Sequence, residues 1–118
     1  MLKNKKIFCF DLDNTICVTK KSDYSNSKPK KQAVKIINKL YDGGHIIKIN
    51  TARYMGRNND NITISNRQGF KKTFKQLKSW GLKFHKLSIS KLSADIYIDD
   101  KSYGYSNKWL KDFKDFIK

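Results

Sequence analysis

The chain has 118 residues, which is enough for one domain with one hydrophobic core and too short for two such domains. Hydrophobic residues make up 38% of it, a globular balance that excludes a low-complexity or disordered chain. The apolar run at residues 7–10 ends at an aspartate and is too short for a signal peptide or a membrane span. We therefore expect a soluble, cytoplasmic protein that has no membrane partner.

The net charge of +16 is a feature of nucleic-acid-binding proteins, because basic domains attract polyanions by counterion release. Only three of the 26 basic residues are arginines, namely Arg53, Arg57 and Arg67. Arginine is the residue that base readout and bidentate phosphate binding favour. The lysines are spread over every predicted helix, so we favour a solvated basic surface and keep nucleic acid as an alternative partner.

Strands and helices alternate in the first half of the chain. Residues 7–10 form an unbroken apolar run, typical of a short strand that is buried on both faces. Pro29 suits the first turn of a helix, whose apolar positions recur every three or four residues until Gly43 ends it. A second strand is predicted at residues 45–50, and it ends at Thr51.

The second half continues this alternation. Ser65 is a suitable N-cap for a second helix, which has one apolar face and is closed by Gly81. Residues 83–90 and 95–100 are predicted to be short third and fourth strands. A last helix carries an apolar stripe that begins at Trp109.

This element order predicts one α/β domain over residues 1–118, a three-layer sandwich with a central, mainly parallel, Rossmann-like sheet. Ligands bind beyond the carboxyl ends of the strands in such sheets. The polar residues at or just beyond the ends of the first, second and fourth predicted strands are Asp11, Asp13, Thr51, Asp99 and Asp100. Clustered carboxylates without a nearby histidine or cysteine favour Mg²⁺, and two aspartates in one turn can divide the roles of nucleophile and proton donor.

The cysteines and histidines give weaker signals. Two cysteines are too few for a disulfide framework or a zinc site, and we interpret Cys9 as core packing and Cys17 as a reduced thiol. His45 and His85 lie at the edges of predicted strands and lack the spacing of metal ligands.

Four motifs resemble those of the haloacid dehalogenase-like (HAD) phosphohydrolase superfamily, in the same order and over nearly the whole chain. They are "DLDNT" after the first strand, Thr51 after the second, a lysine, and "IDD" after a later strand. The runs "INTAR" and "KLSADIYIDDKSYG" are similar to those of small HAD phosphatases associated with capsule and surface-polysaccharide biosynthesis. Leu92 stands where their pattern has proline.

The resemblance implies a role for each matching residue. Asp11 would attack phosphorus to form an aspartyl-phosphate, and Asp13 would protonate the leaving oxygen and then deprotonate the hydrolytic water. Thr51 and the backbone N–H of Ala52 would hold phosphate oxygens, and Lys91 would neutralise their charge. Cations offset the repulsion between an anionic nucleophile and a phosphoryl group.

The same resemblance implies the metal ligands. Mg²⁺ would be bound by Asp11, by the backbone carbonyl of Asp13 and by Asp99, with Asp100 contributing through water. Asp99 is favoured over Asp100 as the direct ligand, and Lys86 is the alternative to Lys91.

Specificity is less defined. Arg53 and Arg57 are candidate substrate contacts, with a solvated loop as the alternative. Only residues 16–28 separate the first motif from the next helix, so we expect no cap domain and an open site. Such a site suits a large substrate, or a small one that a neighbouring subunit encloses in a homo-oligomer.

We expect a magnesium-dependent phosphomonoesterase that acts on a phosphorylated sugar or a related small metabolite of surface-polysaccharide synthesis. The alternatives are a phosphatase acting on nucleic-acid ends and a basic nucleic-acid-binding protein built on a HAD scaffold.

Overall fold

The computed structural model describes residues 4–118. In this part of the chain the elements are β1 (Ile7–Phe10), β2 (Cys17–Val18), β3 (Lys28–Pro29), α1 (Lys31–Asp42), β4 (Ile46–Thr51), α2 (Ile62–Ser79), β5 (Lys86–Ile89) and α3 (Trp109–Phe116). None of these helices is long and apolar enough to cross a bilayer.

The main sheet is parallel and has the strand order β1-β4-β5. Phe10 pairs with Ile49, which in turn pairs with Leu87. Helix α1 connects β1 to β4, and α2 connects β4 to β5, which is the connection that parallel strands require. The predicted α/β class with a parallel sheet is confirmed. Strands β2 and β3 form a small antiparallel ribbon directly after β1.

The hydrophobic core lies on one face of this sheet. Phe10, Ile49 and Leu87 are buried there among apolar residues of all three helices. Side chains alternate between the two faces of a strand, so Ile7 and Cys9 point away from this core, and both are exposed. The prediction that β1 is buried on both faces is therefore wrong, and so is the interpretation of Cys9 as a core residue.

The two long helices begin at positions other than those predicted. Pro29 lies before α1 and pairs with Cys17 in the ribbon. Helix α2 begins earlier than predicted because Asn61 caps it, with its side-chain oxygen accepting the Ile64 N–H at 3.0 Å. Ser65 is buried inside α2, where its hydroxyl donates to the Asn61 carbonyl, so it is not the N-cap.

The two histidines lie next to the strands, as expected, and each accepts a backbone hydrogen bond. The Nδ1 atom of His45 accepts the Lys6 N–H at 3.0 Å, and that of His85 accepts the Ile47 N–H at 3.0 Å. These bonds satisfy backbone donors where β1 and β4 begin.

The fourth predicted strand does not form. Residues 95–100 pair with no strand of the described chain, and Ile98 is 96% exposed. Local contacts hold this segment instead. The Tyr97 hydroxyl donates to the Leu92 carbonyl, and the Lys91 ammonium lies 4.2 Å from the centre of the Tyr97 ring. The segment therefore folds back on itself after β5.

Candidate functional site

A cleft of about 340 Å³ lies at the carboxyl edge of β1 and β4. It is lined by the turn after β1, the β2–β3 ribbon, the loop after β4 and the segment after β5. Asp11, Asp13, Thr51, Ala52, Arg53 and Arg57 all line it. The structure thus brings together six of the site residues predicted from the sequence.

Asp11 follows β1 directly and remains partly exposed. The Thr15 hydroxyl donates to Asp11 Oδ2 at 3.1 Å, and Lys91 Nζ lies 3.5 Å from Asp11 Oδ1. Thr15 is in range because the chain turns back immediately, with the Ile16 N–H donating to the Leu12 carbonyl at 2.9 Å. One carboxylate that solvent can reach therefore has a hydroxyl donor on one oxygen and an ammonium near the other.

Asp13 is held by an arginine. Its Oδ1 accepts from Arg53 Nη2 at 2.8 Å and from the Thr19 hydroxyl at 2.5 Å. Its Oδ2 accepts from Arg53 Nε at 3.0 Å. This bidentate interaction with Arg53 fixes the plane of the carboxylate and leaves lone-pair capacity on Oδ2.

Arg53 connects four segments around the cleft. Its side chain is only 1% exposed and donates to Gln76 of α2 at 2.7 Å and to Ser27 next to β3 at 3.2 Å, as well as to Asp13. Gln76 in turn donates to the Tyr24 carbonyl at 2.7 Å. The guanidinium of Arg53 therefore binds protein acceptors and positions Asp13 in the wall of the cleft, and the alternative of a solvated loop residue is wrong for Arg53.

Thr51 and Lys91 meet at the ends of β4 and β5. Thr51 is buried, its hydroxyl accepts the Arg53 N–H at 3.2 Å, and its carbonyl accepts the Lys91 N–H at 3.3 Å. Lys86, the alternative to Lys91, lies within β5, where it pairs with Lys48. It is Lys91, therefore, that reaches Asp11.

Asp99 and Asp100 are not brought into this cluster. Both are exposed on the unpaired segment, where the Lys101 N–H donates to Asp99 at 2.9 Å. This bond and a hydrogen bond with Asp100 lower the pKa of Asp99 below its ordinary value. Nowhere in residues 4–118 do three or more His, Cys, Asp or Glu side chains gather in a way that could hold a metal ion. The expected carboxylate cluster is therefore incomplete in this structure.

Tyrosines that the sequence analysis did not single out form one wall of the cleft. The rings of Tyr24 and Tyr54 lie 5.0 Å apart, and the guanidinium of Arg57 lies 4.9 Å from the centre of the Tyr54 ring. Tyr54 adopts a φ of 68° and packs on Gly69 of α2, where a Cβ atom would come within 1.9 Å of its ring. The position of Tyr54 directly after the "TAR" run was the one signal in the sequence for this wall, but no local pattern indicated that its ring lines the cleft.

The Cys17 side chain is in contact with Asp13. Its thiol is free and buried, with Sγ 3.6 Å from Asp13 Oδ1. Burial raises the pKa of the Cys17 thiol, and the nearby Asp13 charge adds to this effect. The thiol is therefore neutral near neutral pH, and the interpretation of Cys17 as a reduced thiol without a nucleophilic role agrees with this environment.

The chain was compared with protein-family models and with curated proteins, and neither comparison gives a match. Among solved structures, the crystal structure of an MCSG target from Vibrio cholerae is similar to it. The TM-score is 0.77 at 21% sequence identity, over 96% of this chain and 99% of that chain. The likeness shows a shared fold. It carries no information about activity.

Proposed function

We propose that this chain is a capless HAD-type phosphomonoesterase that uses magnesium and acts through an aspartyl-phosphate on Asp11. One observation carries the proposal: a reachable Asp11 carboxylate lies 3.5 Å from Lys91 in a cleft that also holds Asp13 and Thr51. An anion beside a cation at the carboxyl edge of a parallel sheet is what nucleophilic attack on a phosphate ester requires.

In the first step, an Asp11 carboxylate oxygen attacks phosphorus and the bond from phosphorus to the ester oxygen breaks. Asp13 gives a proton to the departing oxygen, which leaves as an alcohol. In the second step, Asp13 takes a proton from water while the water oxygen attacks phosphorus. The bond from phosphorus to Asp11 breaks, inorganic phosphate is released, and both aspartates return to their starting states.

The surrounding residues hold charge and orientation. Lys91 and the Ala52 N–H would bind the non-bridging phosphate oxygens, with Thr51 at the end of β4 shaping this part of the cleft. Arg53 holds the orientation of Asp13 in the cleft, and Oδ2, which accepts one bond from Arg53 Nε, keeps a lone pair that can exchange a proton. Because Arg53 also binds Gln76 and Ser27, this orientation is tied to the packing of α2 and of the ribbon.

Asp11 offers a carboxylate oxygen and Asp13 a backbone carbonyl oxygen, and oxygen ligands of this type are those that Mg²⁺ prefers. When bound, magnesium would offset the negative charge that gathers on the phosphoryl group. A further carboxylate would come from Asp99 or Asp100. We propose that residues 95–100 can pair with the free edge of β1, which would complete a Rossmann-like HAD sheet and bring Asp99 towards Asp11.

The substrate class follows from the resemblance of "INTAR" and "KLSADIYIDDK" to the polysaccharide-associated phosphatases, which favours a phosphorylated sugar or a related small metabolite. The test is phosphate release from a panel of sugar phosphates, nucleotides, aryl phosphate and phosphorylated oligonucleotide ends, with magnesium or with excess EDTA. We expect magnesium-dependent release that Asp11→Asn abolishes and that Asp112→Asn, an exposed change on α3, leaves intact. Release in EDTA by metal-free protein, or by Asp11→Asn, would contradict the proposal.

A further inference from the structure

Two cations at the mouth of the cleft have no acidic partner within residues 4–118. Lys21 of the loop between β2 and β3 and Arg57 of the loop after β4 both line the cleft and are exposed. Throughout residues 4–118, neither side chain makes an ion pair or a hydrogen bond. The two carboxylates of the cleft are already matched, Asp13 by Arg53 at 2.8 Å and Asp11 by Lys91 at 3.5 Å.

The position of Arg57 is built into the fold. Its guanidinium is placed over Tyr54 at 4.9 Å and over Tyr24 at 5.8 Å from the ring centres. Tyr54 is fixed in turn, because its carbonyl accepts the Asn58 side-chain N–H at 2.8 Å and its ring fills the space that Gly69 leaves open. Cation–π contacts hold an arginine while leaving its N–H donors free, so Arg57 is ready to bind an anion.

The charges in the cleft indicate what that anion belongs to. In the structure each carboxylate of the cleft already faces one cation, Asp11 facing Lys91 and Asp13 facing Arg53. Lys21 and Arg57 are two further cations in the lining of the cleft, and no carboxylate of residues 4–118 pairs with either of them. A cleft lined by excess charge of one sign favours a ligand of the opposite sign.

We propose that the substrate carries a second acidic group, a carboxylate or a second phosphate, on its leaving-group side, and that Arg57 and Lys21 bind it. This inference rests on the proposed function, which places the phosphoryl group of the ester beside Asp11. It deepens that function by naming a class of ester, a phosphate monoester of an acid.

The experiment compares esters that differ only in the second acid. Phosphoglycerate is compared with glycerol phosphate, and fructose bisphosphate with fructose monophosphate, at one fixed ionic strength. For each pair, kcat/KM is measured with magnesium, and binding to the wild-type protein is measured by calorimetry. The first pair tests the carboxylate and the second pair the phosphate.

We expect the acidic member of at least one pair to be favoured by about tenfold, the effect of one charged hydrogen bond. In Arg57→Gln the ratio within that pair should fall towards one, and Lys21→Gln should reduce it in part. Arg67→Gln removes the same charge from an exposed position on α2 and should keep the wild-type ratio, which separates a local site from the basic surface as a whole.

Three results would overturn the inference. They are equal kcat/KM values within both pairs, binding of none of the four esters, and a preference for the acidic member that Arg57→Gln retains. Failure of the proposed function would look different, because aryl phosphate would then not be hydrolysed either. The calorimetric ratios would still decide whether the cleft prefers the second acid.

Discussion

Replacement of Arg53 by methionine should both destabilise the protein and disable the cleft. Methionine keeps much of the length of the side chain but removes every donor. Asp13 would lose its partner at 2.8 Å, and the side-chain oxygens of Gln76 and Ser27 would lose theirs. Arg53→Met therefore removes a side chain whose hydrogen bonds join the turn after β1, the residue before β3, the loop after β4 and α2.

The expected loss can be sized from burial. Removing one partner of a buried ion pair costs about 3–5 kcal/mol. Arg53 is 1% exposed but Asp13 is 21% exposed, so water can solvate part of the orphaned carboxylate, and we expect the lower end of that range. With an unfolding entropy of about 2.1 cal/mol/K per residue, a loss of about 3 kcal/mol lowers the Tm of a 118-residue protein by about 12 °C.

Thermal unfolding followed by circular dichroism measures this loss, and urea unfolding gives the free energy. The matched control is Lys83→Met. It breaks the ion pair between Lys83 and Asp42 at 2.7 Å, in which both side chains are about half exposed. Exposed pairs contribute about 0–1 kcal/mol, so the control should lower Tm by at most about 4 °C.

A double-mutant cycle separates the pair from its neighbours. If Asp13 and Arg53 stabilise each other, Arg53→Met should cost less in an Asp13→Asn background than in the wild type. Equal Tm losses for Arg53→Met and Lys83→Met, or strictly additive effects in the cycle, would refute the claim that Arg53 positions Asp13.

Three further predictions concern the acidic segment, the thiols and the surface. Asp99→Asn should weaken activation by magnesium more than Asp100→Asn does, and the reverse order in a metal titration would exchange their roles. In the native protein at neutral pH, iodoacetamide should alkylate Cys9 quickly and Cys17 slowly, because Cys17 is buried and its pKa is raised. Cys17 should react faster only above the ordinary thiol pH range or in urea, and prompt modification of both by intact-mass measurement would contradict its burial. Binding to a random oligonucleotide, measured by fluorescence anisotropy, should be weak and should vanish by moderate salt, whereas submicromolar binding at physiological salt would revive the nucleic-acid alternative.

The elements that sequence predicted well are those that local physics determines. The helix that Gly43 ends has the expected apolar stripe, and its Ile37 and Leu40 are fully buried in α1. Asp11 and Thr51 could be placed together because parallel strands end at a common edge, whatever else the sheet contains.

The features that sequence missed depend on partners distant in the chain. Residues 95–100 contain the β-branched and aromatic residues typical of a strand, but a strand also needs an edge to pair with, and the sequence does not specify one. Arg53 looked like a loop cation because its acceptor, Asp13, lies 40 residues earlier. Asn61 and Ser65 are both good caps by type, and the choice between them depends on where the loop after β4 ends.

Phosphoryl transfer to Asp11 is tested most directly by trapping it. Asp13→Asn keeps the backbone carbonyl but cannot activate water, so a covalent phosphoryl group should accumulate when this variant is given an aryl phosphate, whose leaving group needs little acid help, with magnesium. The variant is folded when it reacts and is then quenched. Intact-mass spectrometry should show one added phosphoryl group, and peptide mapping should place it on Asp11. The Asp11→Asn/Asp13→Asn double variant should show none. Unmodified Asp13→Asn protein that still releases phosphate, or a phosphoryl group on any residue other than Asp11, would contradict the proposed mechanism.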